Sequence, residues 1–225
     1  MSVEKVFWSN PYQTEIEAIV KSVSGSMITI DRTIFFAFSG GQESDSGTIN
    51  EFNVVKAEKI GKEIYYTIDS EHNIKTAEKV FIRIDWPRRY RIMRLHFAAE
   101  LVLELIYQKY NYPEKIGAHI GENKSRIDFS WVGNIAESFP LLQKELKRII
   151  ENDIEIKSEY SDPENETRYW EIEGIGRVAC GGTHLRRTSE VGELKLKREN
   201  IGKGKERVEI TLVNPGVNLG AHSFV

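Results

Sequence analysis

Hydrophobic and polar positions change their rhythm once along this chain. From Thr14 to Asp85 they form short runs rich in Ile, Val, Phe and Tyr, several alternating as in Glu15-Ile16-Glu17-Ala18-Ile19-Val20. That alternation sends successive side chains to opposite faces of a strand. The pattern predicts strands over residues 15–23, 26–30, 33–36, 47–52, 54–60, 63–68 and 79–84, with turns at Ser24-Gly25 and Ile60-Gly61-Lys62. Short strands with no helix between them imply a small antiparallel β-barrel or sandwich rather than βαβ units. Residues 1–85 are therefore read as a β-barrel domain.

The period lengthens at Asp85-Trp86-Pro87, where an acidic residue ahead of a proline marks a helix start. Apolar residues then recur at Ile92, Leu95, Ala99, Val102, Leu103 and Ile106, one face of a helix that ends before Asn111-Tyr112-Pro113. Residues 115–120 and 125–129, divided by Gly121-Glu122-Asn123-Lys124, predict a hairpin. A second amphipathic helix is expected over 136–152, from Phe139, Leu141, Leu142, Leu146, Ile149 and Ile150. Strands are expected over 154–160, 169–172, 178–180, 193–198 and 207–213. Grouped helices with about five strands predict an α+β fold, a two-layer sandwich, for residues 86–225.

Composition adds bounds. With 225 residues, 40% of them hydrophobic, the chain can bury a sizeable core, and its single cysteine excludes an intramolecular disulfide. No apolar run reaches membrane-spanning length and no leader is evident, so a reducing, cytoplasmic setting is expected. The net charge of −3 does not suggest a nucleic-acid binder, yet residues 186–207 carry eight Lys or Arg against four Glu. Lys195, Lys197 and Lys203 fall in this basic stretch. Arg88, Arg89 and Arg91 crowd the start of the first long helix, where cations oppose the helix dipole. Either they await an external anion such as phosphate, or they pair with carboxylates of the preceding domain.

The chemistry concentrates in Cys180-Gly181-Gly182-Thr183-His184, which can fold a thiolate and an imidazole around one ion. His96 and Glu100, at i and i+4, would stack on one helix face and complete a His/Glu/Cys/His set suited to zinc. Glu100 sits at the edge of an apolar stripe, a costly place for a carboxylate unless a metal, a cation or a proton meets it. It is either the fourth ligand or a general base beside a metal-bound water. A glycine-rich loop, Ser39-Gly40-Gly41-Gln42, lies between predicted strands and permits close backbone approach.

Taken together these segments resemble the alanyl-tRNA editing family, the free-standing AlaX-type proteins related to the editing domain of alanyl-tRNA synthetase. The resemblance rests on Trp8-Ser9-Asn10-Pro11-Tyr12-Gln13-Thr14-Glu15, Asp31-Arg32-Thr33-Ile34-Phe35-Phe36, the Gly-Gly-Gln loop, Gly117-Ala118-His119-Ile120-Gly121, Arg126-Ile127-Asp128-Phe129 and Cys180-Gly181-Gly182-Thr183-His184. It implies a medium-length form, with an N-terminal barrel joined to a zinc-bearing editing domain. It also implies hydrolysis of serine or glycine wrongly esterified to alanine tRNA. His96, Cys180, His184 and Glu100 would hold zinc, with Glu100, Thr33 and Gln42 as catalytic or selecting residues and Thr33 meeting the serine hydroxyl. Arg88, Arg89, Arg91, Lys195, Lys197 and Lys203 would contact tRNA. Two departures stand out: the family's His-x-x-x-His reads His96-x-x-x-Glu100 here, and its three loop glycines are reduced to two. The alternatives to a deacylase are a non-catalytic RNA-binding protein with a structural zinc and a zinc hydrolase of small molecules.

Overall fold

The computed structural model describes residues 2–68 and 72–216, so the last nine residues of the 86–225 unit lie outside the description. The chain is mixed α and β with strands predominating. It opens with a two-residue strand β1 (Glu4–Lys5) and a single helical turn α1 (Val6–Ser9) whose Val6, Phe7 and Trp8 are buried. Next come β2 (Glu15–Ser24), β3 (Met27–Ile30), β4 (Arg32–Thr33), β5 (Gly47–Ile49), β6 (Phe52–Ile60), β7 (Glu63–Ile68) and β8 (Lys79–Ile84). Six of them pair in the order β2-β3-β7-β6-β5-β8, and β8 returns to β2 with Glu15 opposite Arg83, so the ring closes. Period-2 patterning explains it: in β8, Val80, Ile82 and Ile84 point into the core while Lys79, Phe81 and Arg83 face out.

The expected strand over 33–36 is shorter than its composition suggested. Only Arg32 and Thr33 pair, in parallel with β1. Ile34 and Phe36 bond instead to side chains: the Arg89 guanidinium donates to the Ile34 carbonyl (2.7 Å), and the Asp45 carboxylate accepts from the Phe36 N–H (2.6 Å).

Helix α2 (Trp86–Lys109) starts where the sequence places it, with Asp85 as N-cap accepting from the Arg88 N–H at 3.0 Å. Its apolar surface is wider than one stripe, because Met93, Phe97, Ala98 and Leu101 are buried along with Ile92, Leu95 and Ala99. One side packs on β9 (Lys115–Ile120), β10 (Ser125–Ser130) and β15 (Lys205–Leu212). Another side meets β12 (Thr167–Ile172), where Phe97 lies edge-on to Trp170 at 5.3 Å. Enclosure on several sides buries residues 92–99 without a break, Arg94 and His96 among them. A short 3-10 turn (Ile135–Ser138) leads into α3 (Phe139–Glu151), which packs on α2 and on β14 (Leu194–Gly202). The four-stranded sheet runs β14-β15-β10-β9, and a three-stranded sheet runs β11 (Lys157–Asp162), β12, β13 (Gly176–Ala179). Buried apolar residues form two clusters, one from Val3 to Ile84 and one built from Tyr12 and residues beyond Trp86.

Candidate metal centre

Cys180 follows the last residue of β13, and the Cys180 N–H donates to the Arg168 carbonyl on β12 at 2.9 Å. His184 follows four residues later, while His96 lies in the buried middle of α2. Three side chains distant in sequence thus converge. His96 Nε2 and His184 Nε2 each stand 3.2 Å from Cys180 Sγ, and the three donor atoms lie within 4.8 Å of one another. Ligands bonded at about 2.0–2.3 Å to one tetrahedral ion stand roughly 3.3–3.6 Å apart, and the two edges from Cys180 Sγ to the histidines are close to that size. His184 Nδ1 is hydrogen-bonded to Ser158 Oγ at 2.6 Å, which turns Nε2 toward the thiol.

The electrostatics suit a metal as well. Both histidines are almost fully buried, and burial pulls their pKa values down, that of His184 well below the usual imidazole range. They are therefore neutral, the form that ligates. Burial, followed by the nearby Glu100 carboxylate, pushes the Cys180 thiol pKa up. Arg168 opposes that shift. Its buried guanidinium donates to the Trp8 and Ser158 carbonyls at 3.0 and 3.2 Å and carries positive charge toward the thiol.

Two segments of the N-terminal part of the chain grip the 180–184 loop. Trp8 Nε1–H donates to the Gly181 carbonyl at 2.8 Å. Gln42 Nε2 donates to Thr183 Oγ1 at 3.0 Å, and Gln42 Oε1 accepts from the Thr183 N–H at 3.3 Å. Gln42 is brought there because its loop docks on the end of β9: the Ile120 N–H donates to the Gly41 carbonyl, and the Glu43 N–H donates to the Ile120 carbonyl. Gly41 makes this possible with φ +86°, since a Cβ would lie 2.9 Å from the Ala118 carbonyl oxygen. Gly182 is required for a different reason. A Cβ there would lie 2.2 Å from His96 Cε1.

Other expected site residues fall elsewhere. Thr33 is fully buried with the β2–β8 ring's core, where Oγ1 accepts from the Phe35 N–H (3.0 Å) and the Tyr66 hydroxyl (2.7 Å). Neither of these hydrogen bonds reaches His96, Cys180 or His184. Arg89 is corrected. It is 0% exposed, with Nε donating to Asp45 Oδ1 at 2.7 Å, Nη1 to the Pro11 carbonyl and Nη2 to the Ile34 carbonyl and to Asp45. No phosphate can reach it. Arg88 pairs with Glu43 and Glu122, and Arg91 with Glu122, so carboxylates of the protein supply the anions that the helix start asked for. Lys195, Lys197 and Lys203 are exposed, on β14 and the turn after it. Sequence reasoning missed Trp170, Ser158, Thr183 and Arg168, whose only sequence signal is proximity to strands or to the Cys-to-His loop.

The chain matches known proteins along most of its length. Residues 2–88 match the family model described as tRNA synthetases class II (A), and residues 170–209 match the Threonyl and Alanyl tRNA synthetase second additional domain. The chain is 34% identical to the alanyl-tRNA editing protein AlaX-M of Methanosarcina barkeri, over 94% of its own length and 99% of that protein's. It is 34% identical to AlaX-M of Saccharolobus solfataricus, covering 93% of this chain and 98% of that one. The alanine–tRNA ligase of Methanococcus aeolicus is 30% identical over 92% of this chain, which spans 25% of the ligase.

Proposed function

The chain belongs to the family of alanyl-tRNA editing proteins, and from that premise we propose that it is a trans-editing deacylase that hydrolyses the ester of serine or glycine on alanine tRNA in the cytoplasm, with zinc as its metal. The observation that carries this reading is the buried convergence of His96, Cys180 and His184 at donor-to-donor distances. When bound, the metal supplies a fixed positive centre for polarising or orienting the aminoacyl ester. The residues of the chain do the rest. The histidines are presented neutral and pre-aimed, Arg168 favours the thiolate, and Gln42 and Trp8 hold the 180–184 loop still so that the donors keep their spacing. In this reading residues 1–85 form a β-barrel domain that buttresses the loop through Gln42, and residues 86–225 form the zinc-bearing editing domain.

The tRNA backbone is assigned to Lys195, Lys197 and Lys203, which project from β14 and the turn beyond it without competing burial. Phosphate contacts release counterions, about 0.9 per neutralised phosphate on duplex RNA if it behaves as B-form DNA does. Replacing all three by Ala is expected to weaken every tRNA alike and to flatten the log–log salt slope by roughly 2–3. An unchanged slope, from fluorescence anisotropy at several salt concentrations, would move the tRNA to another surface.

The experiment for the function is deacylation of Ser-tRNA(Ala) and Ala-tRNA(Ala) by one purified preparation. Faster loss of serine is expected. Folded, zinc-loaded protein that binds tRNA yet hydrolyses neither ester would make this a binding protein with a structural metal.

A further inference from the structure

Phe38 leaves 56% of its surface in solvent, although it opens the glycine-rich loop that reaches the metal centre. The backbone on either side of the ring is pinned. The Phe36 carbonyl accepts from the Asp45 N–H and the Ser44 hydroxyl, both at 3.0 Å, and Ser39 and Gln42 exchange backbone hydrogen bonds at 3.3 and 3.0 Å. The ring therefore stays beside a hollow of about 450 Å³ between this loop and β6, walled by Val54, Val55 and Ala57 and edged by Lys56 and Lys59. Its carboxylates are already met by cations, Glu58 by Lys56 at 2.7 Å and Asp45 by Arg89.

Two routes join this hollow to the 180–184 loop. Four residues after Phe38, Gln42 bonds Thr183. On the opposite wall, Lys59 Nζ stands 5.4 Å from the centre of the Trp8 ring, whose N–H donates to the Gly181 carbonyl. Lys5 Nζ at 5.4 Å and the Arg168 guanidinium at 5.6 Å face the same ring. Among the described residues one carboxylate, Glu166, pairs with this trio, which leaves surplus positive charge between hollow and metal loop. Single-stranded nucleic acid is held by this combination, its bases stacked on an aromatic ring and its backbone following cations. We infer that the hollow takes an unpaired base of the tRNA 3′ end, stacked on Phe38, so that the strand bearing the ester is led to the 180–184 loop. Bases inside a duplex have their faces covered by neighbours, so the unpaired end is the part of the tRNA that fits. The inference rests on the reading above that the substrate is an aminoacyl-tRNA.

The test uses uncharged tRNA(Ala) with 2-aminopurine in place of each unpaired 3′ base in turn, a base analogue whose fluorescence falls when it stacks. The wild type should quench the probe at one position. Phe38→Ala should lose the quench and bind about 5–150-fold more weakly, the range for one stacked base. Phe38→Tyr should keep both, since a phenol ring stacks as well. A tRNA trimmed of its unpaired 3′ nucleotides should bind the wild type and Phe38→Ala equally. Phe38 is exposed, so the alanine variant should melt at the wild-type temperature. Wild-type quenching or wild-type affinity in Phe38→Ala would overturn the inference. So would self-association in sedimentation that Phe38→Ala abolishes, which would make the hollow a contact between copies. Hydrolysis of Ser-tRNA(Ala) with no quench at any probe position would sink this inference alone, whereas a Phe38-dependent quench without hydrolysis would sink the deacylase reading alone.

Discussion

Replacing Arg89 by alanine should lower stability by about 3–5 kcal/mol, the range for removing one partner of a buried ion pair. The guanidinium is enclosed between the start of α2 and the 34–45 segment, and its loss would leave the Asp45 carboxylate buried without its cation. The Pro11 and Ile34 carbonyls would lose their donors at the same time. Domains of this kind are stable by only about 5–15 kcal/mol, so the variant would sit near the edge of folding. Urea denaturation gives the measurement. Arg89→Lys should recover part of the loss, because an ammonium keeps the charge but cannot span Asp45 and both carbonyls. A midpoint for Arg89→Ala equal to the wild type's would mean that the ion pair does not form. By contrast, the Lys195, Lys197 and Lys203 changes touch exposed chain and should leave stability within about 0.5 kcal/mol.

The second large effect is at Cys180. Cys180→Ala removes the atom that both histidines face, and zinc binding should be lost while the fold persists, since the thiol packs only at the margin of the larger apolar cluster. The pH dependence of zinc uptake has a definite sign. In the metal-free protein the thiol is held protonated by burial and by Glu100, so metal binding must expel one proton. The histidines are already neutral and add no proton release near neutrality. Apparent zinc affinity should therefore rise with pH by about tenfold per unit around neutral pH, one proton per metal. Chelator competition across pH checks this, and a flat profile would mean that the thiol is not a ligand.

Much of the fold is legible in the sequence where a local signal suffices. The alternation in 63–68 and 79–84 marks β7 and β8, and Asp85 ahead of Pro87 marks the start of α2 because cap and ring geometry are local properties. The run 33–36 misleads because its side chains have the β-branched and aromatic character of a strand, yet the backbone is bonded to Arg89 and Asp45, partners 44 residues apart from each other. The same distance hides why three arginines crowd a helix start: the answering carboxylates are Glu43, Asp45 and Glu122. At the site, Cys180, His184 and His96 were recognisable by chemistry and spacing. Trp170 was not, since a tryptophan on a strand reads as core, and only the approach of β12 to α2 reveals that its N–H meets Glu100. Thr33 was singled out by resemblance alone, and the Tyr66 hydroxyl that donates to it comes from β7, a strand that pairs with β3.

The central claim is that a metal held by His96, Cys180 and His184 is required for ester hydrolysis. The most direct test strips the purified protein with a chelator, restores zinc in steps, and follows both bound metal and the rate of Ser-tRNA(Ala) deacylation. The account predicts that activity is absent without metal and rises in proportion to occupancy, levelling off at one zinc per chain. Full activity in the stripped protein, or a folded chain with one zinc and no hydrolysis, would contradict it.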